Sequence, residues 1–255
     1  MKIYVINVKR ILKYLSILLL IALLISIASI TGMDVLGVFS AERDLPIYCV
    51  DTAERVAAIT FDCAWGADDI PQILNVLKSR NVKATFFIVG QWAEKYPEKV
   101  KLIAADGHDI ANHSYSHLRM GALDHGKISS EIQLCGEKLS ELAGKKIELF
   151  RAPYGDYSNN VVATARKLGY YTIQWNVDSL DWKPDIGINE IKSRVSDKIV
   201  PGSIILFHND TQHTAAILPE IIDTIKNSGY TLVPVSELIL RNDFYIDFDG
   251  RQKKK

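Results

Sequence analysis

Short apolar segments of strand length alternate with segments of helical periodicity through most of this chain. Residues 56–61 (VAAITF) form a continuous apolar run, which is typical of a strand buried on both faces. The same pattern predicts seven strands, at residues 56–61, 84–89, a segment ending near His113, 147–150, 171–177, 203–207 and 231–235. Helices between consecutive strands imply right-handed crossovers, so the chain is predicted to form a parallel α/β sheet, either closed into a barrel or left open.

The composition limits the class of protein. The 255 residues are 48% hydrophobic, and 30 basic side chains balance 30 acidic ones. Such a chain can bury one sizeable core, which favours a single globular domain. The balance of charge argues against a nucleic-acid partner, because phosphate groups require a basic surface. Cys49, Cys63 and Cys135 make an odd count without metal-finger spacing, so no disulfide framework is predicted.

The amino terminus is predicted to direct the chain to a membrane. Residues 14–33 carry no charge, and residues 1–13 contain four cations, which is typical of a transmembrane helix with a cytoplasmic basic segment before it. A cleaved signal sequence, with small residues at Ser40 and Ala41, is the alternative. Both interpretations place the rest of the chain outside the cytoplasm. That part comprises a linker at 34–53, one domain at 54–240 and a polar tail at 241–255 that is expected to be frayed.

Reactive side chains recur where the predicted strands end. The first, third, fourth, fifth and sixth strands end at Asp62, His113, Arg151, Asp178 and His208. In parallel α/β barrels the carboxyl ends of the strands converge on one mouth, where such folds carry their chemistry. We therefore expect these five side chains to meet around one site.

The segment HSYSH at residues 113–117 predicts a metal site. Two imidazoles four residues apart can lie on one face of a helical turn and bind one metal ion from the same side. A zinc protease would have glutamate directly after the first histidine, but that position is Ser114, so a protease is excluded. The segment supplies two ligands, His113 and His117, and a third must come from elsewhere.

Five ordered motifs resemble the polysaccharide deacetylases, the NodB-homology domain of carbohydrate esterase family four. They are TFDCAWG at 60–66, HSYSH, RAPYG at 151–155, DSLDW at 178–182 and LFH at 206–208. The resemblance covers residues 55–240 and implies a distorted barrel of seven or eight strands. It also implies hydrolysis of the acetamide of N-acetylated sugars, in peptidoglycan or chitin-like glycans, with a divalent metal that is usually zinc. The apolar segment, the linker and the FDCAWGADD opening resemble the sporulation-associated, membrane-anchored branch, which implies a cell-wall or spore-cortex glycan.

The resemblance implies a catalytic role for several of these residues. Asp62 would be the general base, and Arg151 would pair with it and keep it ionised. His208 would protonate the departing amine. Of Asp178 and Asp181, one would hydrogen-bond His208 and the other would brace Arg151, and Asp181 is the expected partner of the histidine.

Three further residues are implied in substrate binding. A backbone N–H near Tyr154 would help to hold the oxyanion. Trp182 and Leu206 would line the pocket for the acetyl methyl group, although an aromatic residue and a leucine at strand ends are equally expected in a core.

The sequence departs from the family pattern at Cys63. Most members have a second aspartate there, which completes the metal triad with the two histidines. A thiolate can bind zinc, so one hypothesis is an intact site with Cys63 as third ligand. The other is that Cys63 packs as a small apolar residue and that metal binding is weak or lost. Asp68 and Asp69 are within loop reach and could substitute as the third ligand, but helix capping also accounts for them. The first hypothesis predicts a metal-dependent deacetylase, and the second a glycan-binding or assembly protein on the same fold.

Overall fold

The computed structural model describes residues 8–30 and 43–255. It divides into two compact units, Met1–Arg43 and Asp44–Lys255. In the first unit, helix α1 spans Val8–Ile30. Within the described residues, no helix is both long enough and apolar enough to cross a membrane.

The transmembrane helix predicted for residues 14–33 is therefore not supported. Residues 31–33 of the predicted helix, residues 1–7 of the basic segment and residues 34–42 of the linker lie outside the described residues.

The second unit alternates strands and helices. Its strands are β1 (Cys49–Val50), β2 (Val56–Cys63), β3 (Thr85–Ile88), β4 (Asp109–Asn112), β5 (Leu149–Phe150), β6 (Tyr171–Thr172), β7 (Val177–Asp178), β8 (Ser203–His208), β9 (Thr231–Leu232), β10 (Phe244–Ile246) and β11 (Arg251–Lys254). Its helices are α2 (Ile70–Ser79), α3 (Gly90–Lys95), α4 (Pro97–Ala105), α5 (His125–Ala143), α6 (Asn159–Lys167), α7 (Ile188–Ser196), α8 (Thr214–Asn227) and α9 (Val235–Leu238), with a 3₁₀ turn at Pro153–Gly155.

The strands form one curled sheet in the order β10-β11-β1-β8-β2-β3-β4-β5-β6. Outside this order, β7 pairs with β8, and β9 pairs with β2. The central pairs, from β8 through β2 to β6, are parallel, which confirms the predicted parallel arrangement there. The sheet as a whole is mixed, because β1 runs antiparallel to β8, and β10 runs antiparallel to β11. The predicted barrel of seven or eight strands is thus a half-barrel built on a mixed sheet.

The strand predicted at residues 171–177 is split into β6 and β7. Ile173 leaves β6 to form an isolated bridge with Ile47, and the backbone N–H of Asn176 donates to the carbonyl of Ile204 on β8. The segment therefore crosses from the β5 side of the sheet to the β8 side. This crossing brings Asp178, at the end of β7, beside the central strands.

Strand β2 sorts its side chains between two environments. Successive residues of a strand point to opposite faces, so Phe61 and Cys63 share one face while Thr60 and Asp62 share the other. Phe61 and Cys63 lie in the larger apolar cluster, which also contains the buried face of α2. Burying a phenylalanine side chain stabilises the fold by about 1.5–3 kcal/mol, so the register of β2 is well defined and Asp62 is fixed on the opposite face.

The polar tail is folded and not frayed, contrary to the prediction for residues 241–255. Strand β11 pairs in parallel with β1 and antiparallel with β10. The side chain of Gln252 is fully buried, where it donates to the carbonyl of Leu240 and accepts from its N–H, both at 2.8 Å. Since β1 pairs with β11, residues 49–50 of the predicted linker also belong to the sheet.

We expect Gln252→Leu to lower the free energy of unfolding by about 2 kcal/mol, because both main-chain groups of Leu240 lose their partner while the side-chain volume is kept. Urea-induced unfolding measures the change. Gln91→Leu, an exposed position on α3, serves as the control and should change stability little. An unchanged unfolding midpoint in Gln252→Leu would show that the tail does not stabilise the domain.

Candidate active site

The carboxyl ends of the central strands surround one cavity of about 440 Å³. Strand register aligns its residues: Asp62 on β2 is the direct partner of His208 on β8, and Asp178 on β7 is the partner of Leu206. Eight of the residues proposed from sequence line this cavity, namely Asp62, His113, His117, Tyr154, Asp178, Trp182, Leu206 and His208. The five strand-end side chains were expected to meet, and four of them face this cavity while Arg151 lies buried behind Asp62.

Asp62 and Arg151 form a buried ion pair. Arg151 Nη1 donates to Asp62 Oδ1 at 2.6 Å and to Thr60 Oγ1 at 3.0 Å, and Nη2 donates to the carbonyl of Gln174 at 3.2 Å. Burial alone would raise the pKa of Asp62, but the adjacent guanidinium outweighs burial and lowers it. Asp62 is therefore ionised at neutral pH and can accept a proton.

The two histidines of HSYSH come together, but on an irregular turn and not on a helix. Ser114 and His117 have left-handed φ angles of 62° and 57°, and the ring centroids of His113 and His117 are 5.2 Å apart. His113 Nδ1 donates to the carbonyl of Arg151 at 2.8 Å, and its Nε2 lies 3.4 Å from Asp62 Oδ2. Burial lowers the pKa of both imidazoles, that of His117 to about 4, so both are neutral at pH 7.

Glu131 holds this turn in place, a role that the sequence analysis missed. Its buried carboxylate accepts hydrogen bonds from the N–H groups of Tyr115 and Ser116 at 3.1 and 2.8 Å, and from Ser116 Oγ at 2.6 Å. Lys127 lies 2.9 Å away and supplies the balancing charge. The signal in the sequence was an acidic residue on the apolar face of α5, between Ile128 and Ile132.

His208 is paired with Asp181, as the resemblance implied. Its Nδ1 lies 2.8 Å from Asp181 Oδ1, its backbone N–H donates to Oδ2 at 2.8 Å, and Thr214 Oγ1 donates to Oδ2 at 2.6 Å. Burial would lower the pKa of His208, but the hydrogen bond and charge of Asp181 outweigh burial and raise it. His208 therefore keeps its proton to higher pH than an ordinary histidine, with Nε2 left as the donor.

Asp178 does not brace Arg151 directly, contrary to expectation. Its Oδ1 accepts from the backbone N–H of Leu180 at 2.9 Å, and in the described part of the chain no ion pair links it to Arg151. The guanidinium instead stacks on the ring of Phe87, 3.8 Å from its centroid. Aromatic stacking and Asp62 thus fix Arg151 without Asp178.

The described residues supply two metal ligands and not three. Cys63 is fully buried in the apolar cluster, and burial raises its pKa well above that of an ordinary thiol, so the thiolate that binds zinc is absent. Of the two aspartates within loop reach, Asp68 is exposed and does not line the cavity, and Asp69 accepts hydrogen bonds from the N–H of Asp210 and from Asn209. Among residues 8–30 and 43–255, no group of three His, Cys, Asp or Glu side chains is placed to hold a metal ion. A catalytic zinc site has three protein ligands, so these residues do not complete one.

Aromatic side chains form one wall of the cavity. Tyr154, which has a left-handed φ of 61°, is 53% exposed, and its hydroxyl lies 3.1 Å from His117 Nδ1. Trp182, also exposed, lines the cavity with Leu206, which is buried; both placements suit the pocket that the resemblance implied. Trp65, whose ring meets His117 edge-on at 5.6 Å, was not identified from sequence although it lies within the TFDCAWG motif.

The comparisons with known proteins decide the family. The polysaccharide deacetylase family model matches residues 50–173. A peptidoglycan-N-acetylglucosamine deacetylase of Bacillus cereus is 36% identical over 185 residues, which are 71% of this chain and 67% of that protein. The chain belongs to the polysaccharide deacetylase family. The predicted enzyme class, a polysaccharide deacetylase, is thereby confirmed at the level of the family.

The similar proteins include an uncharacterized protein and a pseudoenzyme as well as the deacetylase. The uncharacterized protein YlxY of Bacillus subtilis is 36% identical over 76% of this chain, which covers only 60% of YlxY. The structure of a CE4 family pseudoenzyme from Bacillus anthracis matches with a TM-score of 0.74 and 31% identity, over 82% of this chain and 73% of that one. A mutant of that pseudoenzyme with restored enzymatic activity matches at 34% identity and a TM-score of 0.73, over 76% and 70% of the two chains.

We expect Asp181→Asn to lower the pKa of His208, because a neutral amide replaces the carboxylate that raises it. Because the folded-state pKa is raised, the pair stabilises the fold fully below the pKa of an unfolded histidine, and this stabilisation is lost as the pH rises through the folded-state pKa. An NMR titration of the imidazole measures the shift, and unfolding at several pH values measures the stability. Asp178→Asn leaves the hydrogen bond between Asp181 and His208 in place, so it should change the pKa of His208 less. An unchanged pKa in Asp181→Asn would contradict the assignment.

Proposed function

We propose that this protein hydrolyses the acetamide of an N-acetylated, peptidoglycan-type glycan. The observation that carries the proposal is that an ion-paired carboxylate and a carboxylate-paired imidazole face one cavity. Arg151 lowers the pKa of Asp62, which favours the ionised carboxylate, and Asp181 raises the pKa of its register partner His208, which favours the protonated imidazole. A site with a ready proton acceptor beside a ready proton donor suits acid–base catalysis, whereas binding a neutral sugar requires neither.

The chain's own groups provide the proton transfers of amide hydrolysis. Asp62 takes a proton from a water molecule while the oxygen of that water bonds to the carbonyl carbon of the acetamide. His208 then gives its proton to the amide nitrogen while the C–N bond breaks, so the products are acetate and a free amine on the sugar. Without that proton the amine would have to leave as a strongly basic anion. The backbone N–H near Tyr154 remains the predicted donor to the oxyanion.

A second candidate function is glycan binding without turnover. Two observations favour it: the described residues offer only two metal ligands, and the chain is similar to a pseudoenzyme. An acetamide is a poor electrophile, and a metal would supply the polarisation of its carbonyl. The exposed aromatic wall, with Tyr154 and Trp182, suits either function because sugars pack on aromatic faces.

We also propose that the domain acts outside the cytoplasm. Support comes from the sequence, where cations precede an apolar segment in the order typical of exported proteins. A spore-cortex substrate and a role in sporulation remain predictions from the resemblance.

The first test is release of acetate from N-acetylglucosamine oligomers and from peptidoglycan fragments. Asp62→Asn should lower the rate by about 100-fold or more, because it removes the general base. Asp197→Asn, an exposed aspartate that does not line the cavity, is the matched control. If the wild-type protein binds these glycans but releases no acetate with zinc or cobalt supplied, the binding function replaces the enzymatic one.

The second test concerns the departure from the family at Cys63. Cys63→Asp places the carboxylate that most family members carry at the last position of β2. Cys63 faces the apolar cluster, so this carboxylate can join His113 and His117 only if the strand end turns it toward the cavity. We expect a bound zinc ion to favour that turn, so the zinc content should rise toward one per chain and acetate release should increase. A new carboxylate buried in the apolar cluster destabilises the fold unless a cation compensates it, so added zinc should raise the melting temperature of this variant more than that of the wild type. Cys63→Ala is the control and should show neither effect. Equal zinc content and equal rates in Cys63→Asp and wild type would show that the third ligand is not what limits this site.

A further inference from the structure

Arg119 places an exposed cation at the rim of the cavity. It lies two residues after His117, it is exposed, and it lines the cavity. Its guanidinium carbon is 4.6 Å from the centroid of the Tyr154 ring, a distance typical of a cation–π contact. Met120, the next residue, is fully buried and anchors this end of the segment.

The charges already present around the cavity do not require Arg119. Asp62 is neutralised by Arg151 at 2.6 Å, and Asp181 is paired with His208 at 2.8 Å. Asp178, the remaining acid that lines the cavity, accepts a backbone hydrogen bond from Leu180. Within the described residues, no ion pair or side-chain hydrogen bond joins Arg119 to an acidic residue. Its positive charge is therefore available to a ligand.

A series of ring contacts connects Arg119 to the reacting groups. Its guanidinium covers the ring of Tyr154, that ring lies 4.6 Å from the ring of His117, and His117 is 5.2 Å from His113 beside Asp62. In this series of contacts, Tyr154 and His117 lie between the guanidinium and His113. A planar guanidinium presents a fork of N–H donors that matches a carboxylate, and in the part of the chain that the structure describes no acidic side chain is paired with this one.

We propose that Arg119 is a specificity residue that binds a carboxylate of the glycan, close to the N-acetylated sugar whose acetamide faces Asp62 and His208. The inference rests on the proposed glycan substrate and names its chemical class: an acidic glycan in preference to a neutral one. Peptidoglycan offers two such carboxylates, the lactyl group of muramic acid and the acidic groups of the stem peptide. Both would meet the same guanidinium.

Binding measured by tryptophan fluorescence tests the proposal on the full-length protein, since Trp65, Trp175 and Trp182 line the cavity. The ligands are four glycan strands of equal length. Two are acidic: a strand without peptide that has free lactyl carboxylates, and a strand that carries stem peptides. Two are neutral: the peptide-free strand with its lactyl carboxyls reduced to alcohols, and an N-acetylglucosamine oligomer. The wild type should bind at least one acidic strand about fivefold or more tightly than the reduced strand. The strand that shows the preference identifies the source of the carboxylate.

Arg119→Gln should abolish this preference, and Arg119→Lys should keep part of it, because lysine retains the charge but not the planar fork. Lys78→Gln, an exposed cation on α2 that does not line the cavity, changes the net charge equally and should leave the preference unchanged. Circular dichroism verifies that each variant is folded. If Arg119→Gln does not fold, the preference is measured with Arg119→Lys instead.

Two results would overturn the proposal: a wild-type protein that binds acidic and reduced strands equally, or an Arg119→Gln variant that keeps the preference. Acetate release is measured separately on the same strands. A protein that prefers the acidic strand through Arg119 but releases no acetate would contradict the proposed hydrolysis and leave carboxylate recognition standing.

Discussion

The ion pair between Asp62 and Arg151 is the constraint on which the rest of the site depends. Two charges removed from water are tolerated only when each is paired and hydrogen-bonded, and removing one partner of such a pair typically costs about 3–5 kcal/mol. This pair joins β2 to the chain that follows β5, while Phe87 on β3 covers the guanidinium and the carbonyl of Arg151 orients His113 after β4. The ends of the central strands are therefore held in register by the same contacts that build the site.

Much of this arrangement could be predicted from sequence, because long apolar strands carry a clear signal. The run at 56–61 and the segment at 203–207 are buried on both sides, and the reactive residues that follow them meet because parallel strands share one carboxyl edge. The terminal elements carried no such signal. Strands β1 and β11 are short, β11 is polar, and each is stabilised by a partner about 200 residues away, which no local pattern reveals.

Within the site, the order of residues along a strand was more informative than their chemical type. Cys63 was considered as a ligand because a thiolate can bind zinc, yet adjacent residues of a strand face opposite sides, and Asp62 already faced the cavity. The left-handed residues of HSYSH could not be anticipated, because the turn that contains them is held by Glu131 on a helix later in the chain. Arg119 was missed for a related reason. It lies in no motif, and its contact with the ring of Tyr154, far away in the sequence, exists only in the folded chain.

The two ion pairs of the site, Asp62 with Arg151 and Asp181 with His208, give different support to a catalytic function. Asp62 and Arg151 are so deeply buried that the fold itself requires them, and a domain that had lost turnover would keep both to avoid an uncompensated charge. His208 is different, because its side chain is 24% exposed at the cavity and could be replaced without burying an unpaired charge of its own. Its pairing with Asp181 contributes to stability, but the pairing also leaves the second imidazole nitrogen at the cavity, an arrangement that proton transfer requires and the fold does not. The histidine at the edge of the cavity is thus stronger support for hydrolysis than the ion pair at its base.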